Sequence, residues 1–386
     1  MDLSITTCES YESAAVEEAL RQALDSLGGL GWVQPGMRIA VKANLVSFMK
    51  PEAAATTHPA VLCALTKLLV ERGAQVVVGD SPGGLFNAAF VGRVYAATGM
   101  RSVEACGALL NQNFAIEEID FPQAKVAKHF TATAWLREAD AIINVCKLKS
   151  HGMMSMSAAV KNMFGAIPGT MKPEYHYKYP NESDFADMLV DLNEYFKPRL
   201  CIADAIIGME GNGPTRGKPR AIGALLASDS PYALDLACAR IMGLGIDDVP
   251  TLAAAKRREL TVASVDALSI AGDLEACCVP DFDNILSRHG LDFSGDGALK
   301  QFVGRVMMAA LASRPRLEAE TCIGCGLCAR TCPAHAIDMV HNLPRIRRQQ
   351  CIRCFCCQEF CPKGAMVVHR PAIARLLNPP GRAEHT

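Results

Sequence analysis

"MRIAVKANLVSFMKPEAAATTHPAVLCALTKLLVERGAQVVVGD" (residues 37–80) is the stretch on which the fold turns. Its two ends, MRIAVKANLV (37–46) and AQVVVGD (74–80), are short apolar runs of strand length. Between them THPAVLCALTKLLVERG (57–73) reads as a helix, with Thr57 near its cap, Pro59 in its first turn and Gly73 closing it. Strand, helix and strand at these lengths imply a right-handed crossover joining two parallel strands. Further strands are expected at ADAIINVCKLK (139–149), PRLCIADAIIG (198–208) and AIGALLASDS (221–230), with helices at ESDFADMLVDLNEYF (182–196) and SPYALDLACARIMGL (230–244). The expected fold class is therefore α/β, a mostly parallel sheet with flanking helices.

In a parallel sheet the ligand site lies beyond the carboxyl ends of the strands. The polar and glycine-rich segments fall at such ends. Lys42 and Asn44 sit late in the first strand, GDSPGG (79–84) follows the second, KLKSHG (147–152) follows another, and GMEGNGPTRG (208–217) follows CIADAI. Lys147, Lys149 and His151 are spaced two apart, so in an extended segment they share one face. With Lys161 and Asn162 they form a cationic set suited to an anionic substrate, and His151 could exchange a proton near neutral pH. Solvated edge lysines are the plain alternative, although the segment around Lys161 is apolar and small. Asp80, Ser81, Gly83 and Gly84 form a turn able to offer backbone N–H groups to an anion. GDSPGG fits neither the Walker nor the dinucleotide pattern. Asp204 and Glu210 are acid/base or carboxylate candidates, Asp204 equally a loop cap, and Asn212 joins them as a substrate contact. Asp235 is expected to support the first turn of its own helix. HYKYPNESDF (176–185) has the composition of a lid and equally of any surface loop.

The C-terminal region carries a different chemistry. CIGCGLCARTCP (322–333) has cysteines at Cys322, Cys325, Cys328 and Cys332, and CIRCFCCQEFCP (351–362) repeats them at Cys351, Cys354, Cys357 and Cys361. Three cysteines two residues apart can curl around one cubane, while the fourth, held away by the proline turn, ligates its neighbour. Cys322, Cys325, Cys328 and Cys361 should then hold one 4Fe–4S cluster, and Cys351, Cys354, Cys357 and Cys332 the other. Zinc sites usually show separated C-x2-C pairs without the third equally spaced cysteine and later C-P. Cys356 is an extra thiol, read as packed beside a cluster. This region, 318–370, resembles the bacterial two-cluster ferredoxin domain, a small ferredoxin-like α+β unit.

The chain has 17 cysteines, and those outside the two runs are scattered through apolar stretches, which is no disulfide framework. The acidic N-terminus shows no signal peptide, and no apolar run reaches the length of a membrane span. A net charge of −1 with 50% hydrophobic residues excludes a general nucleic-acid binder and favours a large core. The expected location is cytoplasmic.

KANL, ATTHPAVLCAL, VVVGDSPGG, KLKSHGMMSMSAAVKNMFGAIPG, FADMLVDLN and ADAIIGMEGNGPTRG together resemble the domain-of-unknown-function 362 family over about residues 37–245. Some members of that family carry a C-terminal pair of 4Fe–4S motifs, but the resemblance implies no agreed reaction. The expected organisation is an α/β domain (1–285), a linker or docking helix (286–317), the cluster domain (318–370) and a tail (371–386). The expected function is an iron–sulfur oxidoreductase passing electrons from two 4Fe–4S clusters to a small anionic substrate, with an external donor or acceptor such as a ferredoxin. The alternatives are an electron carrier or docking subunit, and clusters that are structural beside a redox-neutral cleft. LPRIRRQQCIRC, with Arg345, Arg347, Arg348 and Arg353, offers a basic surface to an acidic partner.

Overall fold

The computed structural model describes residues 2–285 and 313–371. In chain order its strands are β1 (Leu3–Thr7), β2 (Arg38–Lys42), β3 (Gln75–Gly79), β4 (Leu109–Leu110), β5 (Ile116–Asp120), β6 (His129–Thr133), β7 (Ala141–His151), β8 (Ser155–Ser157), β9 (Leu200–Asn212), β10 (Arg216–Ser228) and β11 (Ile270–Ala271). The cluster region adds β12 (Arg314–Leu317), β13 (Ile337–Val340), β14 (Leu343–Ile346) and β15 (Met366–His369).

Among the described residues the main sheet runs β11-β1-β10-β9-β7-β2-β3-β4, with β8 folded back on β7. Strands β9, β7, β2, β3 and β4 are mutually parallel. β10 reverses direction against β9, so AIGALLASDS, expected as a further strand of a mostly parallel sheet, is the return arm of a long hairpin. The hairpin also takes in the segment read as a loop over 208–217, because β9 continues to Asn212. Alternate residues of the parallel strands face opposite layers, as the period of two requires. Ile39, Val41, Val76 and Val78 pack under the helices Ser13–Ser26, Pro59–Val70 and Ala88–Ala97. Ala40, Val77 and Ile142 pack against Glu182–Phe196, while Cys146, Leu148 and Leu226 meet Pro231–Ile241.

The helix after β2 begins at Pro59, and its cap is His58, whose Nδ1 accepts from Ala60 N. Thr57 bonds across the sheet instead, donating to Val145 O and accepting from Asn44 N. The expected linker helix and tail lie outside the described residues except at their ends. There Arg314–Leu317 forms a strand paired with β15, so the expected helix does not reach residue 318.

Candidate functional site

β7 sets the site. It runs past β2 to His151, turns before Ser155, which has φ 58°, and returns as β8, carrying Lys147, Lys149 and His151 out of the sheet's carboxyl end. The chain then starts the single turn Ala159–Asn162, whose first N–H groups, on Ala159 and Val160, donate to Asp235 at 2.6 and 3.2 Å. Asp235 thus supports the turn bearing Lys161 and not its own helix. Burial, opposed by those two backbone donors, raises its carboxyl to about 7. Asn162 ties the floor together, accepting from Asn44 Nδ2 at 2.9 Å and Lys42 Nζ at 3.2 Å and donating to Asn144 Oδ1 at 2.7 Å. Lys42 is fully buried and pairs with Asp80 at 2.7 Å. Gly165 is required directly above them, since a Cβ there would stand 2.1 Å from Asp80 Oδ1.

Above this floor lies a small cavity of about 70 Å³ lined by Asn44, Ser81, Lys149, His151, Lys161 and Lys172 and, from the cluster region, Glu359 and Phe360. Lys149 Nζ donates to Asn44 Oδ1 at 2.6 Å and Ala55 O at 2.7 Å. Burial first and the Lys161 cation second bring its pKa down to about 7. Lys172 reaches the Ser81 carbonyl, and burial brings it to about 8. Lys161 packs 4.7 Å from the Phe164 ring centroid, and burial lowers its pKa too. His151 Nδ1 accepts from Met153 N and Met154 N at 3.1 and 3.2 Å, which places the imidazole proton on Nε2. Burial further disfavours the cation. His151 is therefore a neutral N–H donor aimed into the cavity, where proton exchange near neutral pH was expected.

Glu359 Oε1 stands 3.4 Å from His151 Nε2, within ion-pair distance but without hydrogen-bond alignment. With the imidazole neutral, the lysines supply the attraction. Burial opposes ionisation of Glu359, yet the facing His151 N–H and the Lys161 cation outweigh it and hold the carboxyl at about 2. Lys147 lies elsewhere: it donates to Tyr11 OH at 2.7 Å and pairs with Asp204 at 3.0 Å, and Tyr11 bonds Asp204 at 2.9 Å and stacks on His58. Lys147 and Asp204 satisfy one another in that buried network. Glu210 pairs with Arg220 at 3.6 Å and accepts from Asp283 N. Gly83 lines the cavity, whereas Gly84 lines the adjoining groove only. His176 stands on the helix Lys172–Lys178, buried and stacked on Phe185 at 4.3 Å, so the expected lid loop is helical at its start.

The cysteines of the two runs come together. Cys322, Cys325, Cys328 and Cys361 border one void. Burial first, then the thiols of Cys354, Cys351, Cys332 and Cys328, push Cys357 well up. Backbone N–H groups of Ala336 and Ala365 donate at 3.2 Å to Cys332 and Cys361, as a charged sulfur needs. These residues fit iron–sulfur clusters. Among the described residues no three His, Cys, Asp or Glu groups converge on a single-ion site.

The two runs differ where the second meets the α/β domain. Gly326, Ala329, Arg330 and Thr331 of the first become Phe355, Gln358, Glu359 and Phe360 in the second. Phe355 takes the left-handed φ of 61° that Gly326 takes at 68°, and it packs into the core beside Met153 and Met154. Gln358 Nε2 donates to Asn212 O at 3.0 Å, and Asn212 Oδ1 accepts from Val368 N at 3.1 Å. Comparing the copies residue by residue carries this signal, which the ligand spacing alone does not.

Residues 39–240 match the family described as Domain of unknown function (DUF362). The chain belongs to the DUF362 family. Residues 314–362 of this DUF362 protein match a 4Fe-4S dicluster domain, so it is an iron–sulfur protein with a ferredoxin-type region. It is 34% identical over 272 residues to the "Thylakoid-associated protein sll1697" of Synechocystis sp., covering 68% of this chain and 81% of that one. A solved structure, the lactate racemase apoprotein from Thermoanaerobacterium thermosaccharolyticum, aligns with a TM-score of 0.41 at 12% identity. That alignment covers 63% of this chain and 57% of the racemase, little more than half its length. Among the described residues no helix is long and apolar enough to cross a membrane.

Proposed function

We propose that this DUF362 protein is a reductase of small organic anions, in which a domain of about residues 1–285 binds the substrate and a domain of about 318–370 holds two 4Fe–4S clusters. Cys322, Cys325, Cys328 and Cys361 are the ligands of one, and Cys351, Cys354, Cys357 and Cys332 of the other. The observation that carries this reading is the position of Glu359 and Phe360, between cluster ligands Cys357 and Cys361 in sequence, as walls of a cationic cavity in the α/β domain. A carrier has no use for such a cavity.

When bound, the clusters supply single electrons. Lys161 and Lys172 hold the substrate's negative charge. Lys149, with its pKa brought to about 7, can give up a proton at neutral pH. A two-electron reduction consumes two protons, one from Lys149 Nζ and one from water. His151 Nε2–H donates a hydrogen bond to the atom gaining charge, and Phe360 limits the entry of water. The external electron donor is a ferredoxin.

The test is an anaerobic screen of organic acids with a reduced low-potential dye. Dye oxidation that depends on both the protein and one acid supports the reading. Oxidation by ferredoxin alone, with no acid accelerating it, would replace it with the carrier.

A further inference from the structure

The cationic cavity opens outward into a larger groove of about 860 Å³ between the two domains, and Gly83, Glu359 and Phe360 line both. Phe48, Leu85, Phe90 and Tyr177 make the groove's outer wall, and Cys332 and Cys361, one proposed ligand of each cluster, stand in its inner wall. Phe48, Leu85 and Tyr177 are exposed by 45, 54 and 60%, which is unusual for large apolar side chains gathered in one place. The volume lies within the range of about 300–1,000 Å³ that small-molecule sites occupy. The inner cavity, about 70 Å³, has room for little more than two waters at about 30 Å³ each. It suits a carboxylate and not a bulkier group.

Inside that cavity the polar atoms are poorly matched. Lys149, Lys161 and Lys172 face a single carboxylate, Glu359, because Asp80 is already paired with Lys42. Among the described residues, Ser81 Oγ, His151 Nε2 and Glu359 Oε1 are buried without a hydrogen-bond partner, and so is His176 Nδ1 in the layer behind. Ser81 and His151 are at most 1% exposed, and a buried polar group left without a partner is costly, so these atoms are suited to meet a ligand. Glu359 itself stands on a single helical turn. It borders both spaces, and Arg216 and Arg330 line the wall of the groove.

We propose that the groove binds an organic acid with an apolar body of about phenyl-alkyl size, and that the acid's carboxylate takes the place Glu359 holds in the cationic cavity. Glu359 is then an internal stand-in for the substrate, displaced when the acid enters. This inference rests on the anion-site reading above and adds the substrate class and the residue that competes with it.

The experiment is anaerobic calorimetry on the cluster-loaded protein with 4-phenylbutanoate, 4-phenylbutan-1-ol and acetate. The wild type should bind the phenyl acid at least about tenfold more tightly than the alcohol, the loss of one charged hydrogen bond. Glu359→Gln, a weaker competitor, should bind the acid at least about tenfold more tightly than the wild type. Tyr177→Ala should weaken the phenyl acid and leave acetate unchanged, and Lys172→Met should weaken both acids. Equal binding of acid and alcohol, or no gain in Glu359→Gln at unchanged iron content, would overturn the proposal. Should Glu359→Gln lose iron, the other two variants decide, and wild-type affinity in both overturns it. An acid that binds in this pattern but is never reduced defeats the reductase reading alone. An acid reduced with the same apparent affinity by Glu359→Gln defeats the stand-in alone.

Discussion

Lys149 is a lysine of the cavity whose titration falls near neutrality. It faces Lys161, Glu359, Lys147 and Asp80, and burial is the largest of the influences that bring it to about 7. A lysine lowered on folding is charged in the unfolded chain up to about pH 10.4 but neutral in the folded one above about 7. Between those values the unfolded state binds the extra proton, so stability rises with pH through the window and the cost of the buried charge is full below it. Lys149→Met should therefore be more stable than wild type at pH 6, with the gap closing toward pH 10, as anaerobic thermal unfolding would show. A constant gap across that range would contradict the assignment. Anion affinity should move the other way, falling as pH rises through 7 in the wild type and not in the variant. A second residue-scale prediction concerns Cys356, whose thiol is buried and hydrogen-bonded to Cys354. Cys356→Ala should keep the iron count and make the cluster harder to reduce, because hydrogen bonds to ligand sulfurs raise the potential. A lower iron count would instead make Cys356 a ligand. Spacing singled out eight thiols as candidate ligands in the sequence, but could not report the proton on His151. That depends on the Met153 and Met154 amides, which no side-chain pattern reports.

At the scale of elements, the turn Cys356–Glu359 and the tip of the β9–β10 hairpin hold the domains together. Phe355 adopts a left-handed conformation that costs a bulky residue about 1–3 kcal/mol, comparable with the 1.5–3 kcal/mol or so gained by burying its ring. Phe355→Gly should relieve the one and forfeit the other, leaving the clusters loaded but the interface loosened. Hydrogen exchange at Val368, which donates to Asn212 across the interface, should then quicken while iron content holds. Unchanged protection at Val368 would show that the ring does not anchor the domain. The β–α–β unit, the helix Glu182–Phe196 and the strand bearing the lysines were legible from period and punctuation alone. The direction of β10 was not, because an apolar run has no sense until a partner pairs with it. The division of the lysines was also hidden: β7 carries Lys147 and Lys149 alike, yet Asp204 and Tyr11 take the first out of the cavity.

At the scale of the whole molecule, the cluster region closes over the carboxyl end of the sheet, with Glu359 and Phe360 as walls of the cavity there. The region presents Arg345, Arg348 and Arg353 exposed, and Arg347 beside Asp338 at 3.3 Å. Electron transfer from an acidic ferredoxin should slow with salt, and more steeply in the wild type than in Arg345→Glu/Arg348→Glu, as complementary charge requires. Salt-independent rates in both would remove that surface as the docking face. Anaerobic protein should contain about eight irons and eight sulfides per chain, the amount two 4Fe–4S clusters hold. The central claim is that electrons on the clusters pass to an acid in the cationic cavity, and single-turnover stopped flow tests it most directly. Dithionite-reduced protein, freed of excess reductant, is mixed with a series of organic acids bearing reducible bonds, and cluster bleaching is followed. The predicted result is reoxidation that saturates with one acid in the wild type and loses saturation in Lys161→Met at full iron content. Reoxidation by ferredoxin but by no acid, or equal saturation in Lys161→Met, would contradict the account.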